Sequence, residues 1–172
     1  MWLVSKENKN KFQRLAHTDF LTNIHNRYGF DELAKEMISK NPKEHFIAAL
    51  LDIDDFKFIN DIYGHVYGDR ALKSLADSMK AFFPHDVLLG RNGGDEFCVL
   101  LPNYTFKKAE ELFQKFTKIP KTFSYKGKEY PFYISLGYAE YPPFASNYAQ
   151  LMRCADAALY EIKLHGKNGC MA

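Results

Sequence analysis

Two pairs of carboxylates, Asp52 with Asp54 and Asp95 with Glu96, are the residues of this chain best suited to chemistry. Asp52 and Asp54 stand at the end of the apolar run Phe46 to Ile53. Alternation along a strand turns both to one face and Ile53 to the other. Asp95 and Glu96 follow Gly93 and Gly94, between two later strand-like runs. If those strands neighbour the first, carboxylates from both segments converge at one sheet edge. Hard oxygen ligands converging this way suit Mg²⁺, above all where phosphates complete its shell. Each cluster alone is ordinary turn or helix-cap chemistry. The combination, with bare glycine backbone and lysines nearby, points to phosphate handling.

Asp55-Phe56-Lys57 follows the strand directly. Backbone N–H groups at a strand-to-helix turn can cradle phosphate oxygens, with a lysine beside them. No G-x-x-x-x-G-K-[ST] occurs, so this is not a Walker-A loop. Lys163 and Lys167 lie four apart near the end of the last predicted helix, where one face could hold both as a phosphate clamp. Taken alone, lysines in a last helical turn are explained more simply as complements of the helix dipole.

Several elements must position these groups. Phe46 to Ile53 is apolar but for Asp52, as in a strand buried on both faces. Phe30, Leu33, Ala34, Met37 and Ile38 form a helical stripe that Asn41-Pro42 stops. Ala71, Leu72, Leu75, Ala76, Met79 and Phe82 give a second long helix, closed by Pro84. Val87 to Gly90 and Phe97 to Leu101 read as strands of a hairpin around Arg91-Asn92-Gly93-Gly94-Asp95-Glu96. Ala109, Leu112, Phe113 and Phe116 mark a third helix. Thr122 to Tyr125 and Glu129 to Tyr133 form a minor hairpin around Lys126-Gly127. Tyr133 to Tyr141 is another strand. Leu151, Ala155, Ala158, Leu159 and Ile162 make the last helix, with Gly166 placed to end it. Interleaved helices and strands favour a mixed sheet with helices packed on it.

The 172 residues suit one domain, large enough to bury a core without disulfides. Apolar residues at 47% and charged residues at 26% exclude disordered and collagen-like chains. Lys+Arg 23 against Asp+Glu 21 leaves +2, which gives no electrostatic case for nucleic-acid or membrane contact. Cys98, Cys154 and Cys170 are odd in number and lack metal spacing, as in reduced thiols of a cytoplasmic protein. The longest apolar run, Phe46 to Leu51, is too short to span a bilayer, and residues 1–7 lack a signal-peptide pattern. Phe12, Leu15 and Ala16 recur at helical spacing. Residues 1–17 are therefore either a helical lead-in, continuing from an upstream domain, or a solvated linker, ahead of a domain at 18–172.

Arg91-Asn92-Gly93-Gly94-Asp95-Glu96-Phe97 contains the pentapeptide that names the GGDEF domains, the diguanylate cyclases. Four more segments match in order. Asp19-Phe-Leu-Thr-Asn-Ile-His-Asn-Arg27 resembles D-x-L-T-G-L-x-N-R. Residues Asp52 to Asp69 match D-I-D-x-F-K-x-I-N-D-x-x-G-H-x-x-G-D throughout. Ser135-Leu-Gly137 resembles S-x-G, and residues Ala155 to Asn168 resemble A-D-x-A-L-Y-x-A-K-x-x-G-R-N. The matches run from residue 19 to residue 168.

The resemblance implies an α+β fold: a palm-like central mixed or antiparallel sheet flanked by helices, similar to nucleotidyl cyclases and polymerase palms. It also implies condensation of two GTP into cyclic di-GMP, with loss of two pyrophosphates. By position, Asp52 and Asp95 would bind Mg²⁺ or Mn²⁺, with the Ile53 carbonyl assisting. Asp95 is the catalytic position, joined by Glu96. Asn60 and Asp69 would read the guanine edge, and His65 would support substrate binding. The Phe56 backbone, Lys57, Lys163 and Lys167 would hold the triphosphate, and Gly93-Gly94 would let the nucleotide approach. These roles are chemically coherent. An aspartate accepts from guanine N1–H and N2–H together, and an asparagine both donates and accepts.

A homodimer of opposed half-sites follows from two substrates per product. An upstream sensor domain and a cytoplasmic location, whether free or below a membrane anchor, fit the family. Three positions depart from its pattern. Asn23 replaces a glycine, and Lys167 replaces an arginine and loses the bidentate fork. Pro84-His85-Asp86-Val87 stands where the family's inhibitory product site, R-x-x-D, would begin. A catalytically silent GTP-binding regulatory domain, or a dimerising signalling module, are the alternatives. The uneroded signature favours the enzyme.

Overall fold

The computed structural model describes residues 16–172. Most of the lead-in expected at 1–17 therefore lies outside the described residues. The first elements are β1 (His25–Asn26), α1 (Arg27–Lys40), β2 (Phe46–Ile53), α2 (Phe56–Tyr63) and α3 (His65–Phe82). The hairpin β3 (Leu88–Gly93) and β4 (Glu96–Pro102) and the helix α4 (Phe106–Lys118) follow. The chain closes with β5 (Lys121–Tyr125), β6 (Lys128–Phe132), β7 (Ile134–Tyr141), α5 (Tyr148–Leu164) and β8 (Gly169–Met171).

Six strands form one mixed sheet in the order β1-β3-β4-β2-β7-β8, and β5-β6 stands apart as a two-stranded ribbon. β2 runs antiparallel to both β4 and β7, and parallel pairs close the two edges. This is the mixed sheet with packed helices that the interleaved elements predict, and the palm-like α+β architecture that the family resemblance implies.

β2 is buried along its whole length, and its alternation divides the interior in two. Ile47, Ala49, Leu51 and Ile53 face a core shared with Ile59 of α2, Leu72, Leu75 and Met79 of α3, and Phe113 and Phe116 of α4. Phe46, Ala48 and Leu50 face a second core with Phe30, Ala34 and Ile38 of α1 and Leu151, Ala155 and Leu159 of α5. Gly137 lets α5 settle onto β7, since a Cβ there would meet Leu159 N at 2.0 Å and Ala155 O at 2.4 Å.

Local chemistry sets the boundaries. Asn26 caps α1 by accepting from Gly29 N at 2.9 Å, and its amide donates to Ala16 O at 2.8 Å. Thr105 and Asn147 cap α4 and α5 in the same way. Asn23, at the position of the family's glycine, takes φ 57°, a left-handed conformation that asparagine tolerates.

Candidate functional site

β2 delivers Asp52 near its C-terminal end, opposite Glu96 of β4 on one side and Ser135 of β7 on the other. Asp52 is buried, and Lys163 Nζ donates to its Oδ2 at 2.6 Å. Burial pushes the Asp52 carboxyl up to about 6, Lys163 opposes the rise, and the negative charges of Asp95 and Glu96 add to it. The carboxylates of β2 and of the β3–β4 hairpin thus converge electrostatically. Asp54 turns to the same side as Asp52. Its Oδ1 accepts from Ser135 Oγ at 2.7 Å and its Oδ2 from Asn168 N at 3.0 Å.

Among the described residues, no three His, Cys, Asp or Glu side chains form a metal cage. Two carboxylates and a backbone carbonyl still fit a hard cation that keeps water and phosphate ligands, as Mg²⁺ does. Excess negative charge at a half-dry edge is the condition that such a cation relieves.

The hairpin that carries Asp95 is open at its tip. Gly93 and Gly94 adopt φ 143° and 53°, and a Cβ on either would meet nothing of the described chain within 4 Å. Asp95 is half-buried rather than exposed, and exposed Glu96 accepts from Asn92 Nδ2 at 3.1 Å. The tip is fixed from below by Arg91. Its Nε and Nη2 donate to Gly94 O at 3.0 and 2.7 Å, and Nη1 reaches both Asp19 carboxylate oxygens at 3.2 Å. Burial alone would raise Asp19, but hydrogen bonds from Thr22 and Arg91 outweigh it and hold the carboxyl below its usual range. Both residues lie in recognisable motifs. Their partnership spans 72 residues and carries no local signal.

The β2–α2 turn puts Asp55 in the left-handed region at φ 55°. Its Oδ1 accepts from Lys167 Nζ at 2.7 Å. The first-turn N–H groups of Phe56 and Lys57 have no hydrogen-bond partner among the described residues, and the Lys57 side chain is exposed. Lys163 and Lys167 do not share a helix face, contrary to the spacing argument. α5 ends at Leu164, Gly166 takes φ 114°, and Lys167 follows in a loop at φ 62°. Both ammonium groups nevertheless return to the edge of β2, one on Asp52 and one on Asp55.

α2 and α3 carry the other predicted residues. A Cβ on Gly68 would lie 2.0 Å from Asn60 Oδ1 and 3.2 Å from Phe56 Cζ. Glycine there lets Asn60 lie against α3 at Gly68, the residue before Asp69 in the chain, and exposed His65 opens α3. The side chains of Asn60 and Asp69 make no hydrogen bond or ion pair among the described residues, so their polar atoms are free for a ligand.

The β5–β6 hairpin, read from sequence as minor, clamps this helix pair. Tyr63 packs on Phe123, Tyr125 and Tyr130 at centroid distances of 5.2, 5.1 and 5.2 Å. Tyr67 meets Tyr125 at 4.6 Å, and Arg70 Nη1 donates to Ser124 O at 2.9 Å. Aromatic richness in 123–130 was the available signal.

The family model described as "Diguanylate cyclase, GGDEF domain" matches residues 16–169. The chain is 38% identical over 165 residues to protein YhcK of Bacillus subtilis (strain 168), covering 92% of this chain and 45% of that one. It is 35% identical over 161 residues to the "Probable diguanylate cyclase DgcT" of Escherichia coli (strain K12), covering 91% and 35%. The chain thus spans less than half the length of these curated relatives. Among solved structures it resembles the coiled coil and GGDEF domain of DgcB from Caulobacter crescentus in complex with c-di-GMP. The TM-score is 0.89 at 28% identity, over 97% of this chain and 91% of that one.

Proposed function

This chain belongs to the GGDEF diguanylate cyclase family, and from that membership we propose that it condenses two GTP into cyclic di-GMP in bacterial second-messenger signalling. The carrying observation is the β2–β4 register, which sets Glu96, with Asp95 beside it in the chain, opposite the buried Asp52. It gives a strand edge whose charge calls for a divalent cation and its phosphate ligands.

In this reading Asp52, Asp95 and the Ile53 carbonyl would hold Mg²⁺ or Mn²⁺, which when bound would supply charge stabilisation at the α-phosphate and lower the pKa of the attacking 3′-hydroxyl. The Phe56 and Lys57 N–H groups, the Lys57 side chain, Lys163 and Lys167 bind the triphosphate. Asn60 and Asp69 take the guanine edge, with His65 beside them, and the open Gly93-Gly94 backbone admits the nucleotide. Asp95, assisted by Glu96, stands where the 3′-hydroxyl loses its proton. A 3′-oxygen–α-phosphorus bond forms, the bond to the β-phosphate bridge breaks, and pyrophosphate leaves. The second condensation repeats this with the roles of the nucleotides exchanged.

Each copy holds one GTP, so two copies must oppose their sites across a two-fold axis. Residues 18–172 form the catalytic domain, and residues 1–17 are the lead-in from any upstream sensor. Val87 is buried and its N–H bonds Pro84 O at 3.1 Å, so the window 84–87 is a helix-closing turn without the arginine fork that a product dimer needs. The domain therefore escapes product inhibition at that place. The test is incubation with GTP and Mg²⁺ across a range of enzyme concentrations, with mass identification of the nucleotides. Cyclic di-GMP formed at a specific activity rising with enzyme concentration is expected. Intact GTP at every concentration would overturn the reading.

A further inference from the structure

Lys121 is a buried lysine without a counter-ion. The residue opens β5 and is 4% exposed. Its Nζ donates to Phe116 O at 2.8 Å and Ile119 O at 2.9 Å and lies 4.3 Å from the centre of the Phe116 ring. Carbonyls solvate an ammonium group but do not neutralise it, and an unpaired buried charge is costly. Among the described residues, neither Lys121 nor its neighbour Lys118 forms an ion pair.

Both lysines line a cavity of about 670 Å³ enclosed by the end of α4, the base of the β5–β6 ribbon, the start of β7 and β8. Its lining includes no Asp and no Glu. Ile119, Pro120, Phe132 and Ile134 supply apolar wall, and Thr117 and Asn168 supply neutral polar groups. A volume of this size suits a small organic ligand. An ammonium group has three protons, and the two carbonyls account for two of those of Lys121.

We propose that this cavity is a binding site for a small organic anion, a carboxylate or phosphate monoester with a compact apolar body. The anionic group is the missing counter-ion: it takes the third proton of Lys121 from within and meets Lys118 at the rim. The apolar body lies on Ile119, Phe132 and Ile134. The site is separate from the nucleotide edge, although Asn168 stands between the two and holds Asp54 with its N–H.

The test is a titration of the full ¹⁵N-labelled chain with phenyl phosphate and benzoate, and with benzamide as neutral control, at constant ionic strength. Saturable amide shifts centred on Thr117, Lys121 and Cys170 are expected with both anions, and much weaker ones with benzamide. Lys118→Gln, an exposed change that leaves the fold intact, should weaken the anions by roughly two- to fivefold, the range of a partly screened ion pair. Lys121→Met should remove the saturable response. Shifts confined to residues 54–57 and 163–167 would mean that the anions occupy only the nucleotide edge, and would overturn the proposal. So would an equal response to benzamide, or Lys118→Gln without effect.

Discussion

Arg91 and Asp19 are joined by a charge-assisted contact in which one guanidinium nitrogen lies 3.2 Å from each carboxylate oxygen, while the rest of the same guanidinium grips the Gly94 carbonyl. The side chains are 15% and 22% exposed, so the pair is largely shielded from water. The segment after residue 18 thereby sets the height of the hairpin that carries Asp95.

Removing that grip should disturb geometry more than fold. Arg91→Ala leaves Asp19 without its cation and frees the hairpin tip. The expected outcome is a stability loss of about 1–3 kcal/mol by urea denaturation. Turnover of GTP should fall by about 100-fold, the cost of a small misplacement of a reacting group. Arg91→Lys should restore part of the stability but little of the rate, because an ammonium cannot span both partners. Full activity in Arg91→Ala would show that the hairpin needs no such support.

The metal edge gives the second expectation. Asp95→Ala should abolish cyclic di-GMP formation with the circular dichroism spectrum unchanged, since Asp95 lies at a half-buried turn outside both cores. Asp52→Asn should weaken Mg²⁺-dependent GTP binding by removing a hard anionic ligand. Cyclase activity retained in either variant refutes the assignment.

Base selection is the third. Asn60 and Asp69 have uncommitted polar atoms on the α2–α3 pair, and adenine offers Asp69 no matching pair of donors. Wild type should prefer GTP over ATP, and Asp69→Ser should erode the preference by on the order of 10²-fold in kcat/KM. Equal use of both nucleotides by the wild type would sink the idea.

The fourth concerns pH and Lys121. Burial pulls its ammonium down to about 8, below the ordinary lysine value of 10.5. Between those values the unfolded chain keeps the proton and the folded chain has lost it. The unfolded state binds more protons there, so folding stability gains with rising pH. Relative to Lys121→Met, the wild type should gain up to about 1.4 kcal/mol per pH unit between pH 8 and 10. Below pH 7 the two should run parallel. Urea unfolding at closely spaced pH values measures the difference, and parallel curves throughout would show that Lys121 titrates as it does in water.

The central strand and its acidic end were legible because six consecutive apolar residues followed by Asp52-Ile53-Asp54-Asp55 carry both burial and polarity in local order. β1 and β8 were not, since strands of two and three residues have no periodicity and exist only through parallel pairing with β3 and β7. Spacing failed at Lys167 because counting by four assumes that the helix continues, whereas the chain turns left-handed at Gly166. The motif residues Asp52, Asn60, Asp69 and Asp95 could be named from sequence. The parts that place them could not: Gly68 under Asn60, Arg91 under Gly94 and the tyrosines beneath α2 act across the fold.

The division of β2 into odd and even residues has a mechanical consequence. Asp52 belongs to the layer of α1 and α5, and Asn60 and Asp69 belong to the layer of α2 and α3. One strand is the common spine of two slabs, and in the proposed function a nucleotide would lie astride the joint, its α-phosphate near Asp52 and its base on the α2–α3 slab, with the Phe56-Lys57 turn of α2 reaching the triphosphate from the second slab. Packing damage in the α1–α5 slab is thereby transmitted to the bond-making end, and damage in the α2–α3 slab to the recognising end. Lesions in the two interiors should sort into separate kinetic classes, lowered kcat for the first and raised KM for the second, although the residues lost are all buried hydrocarbons far from the nucleotide.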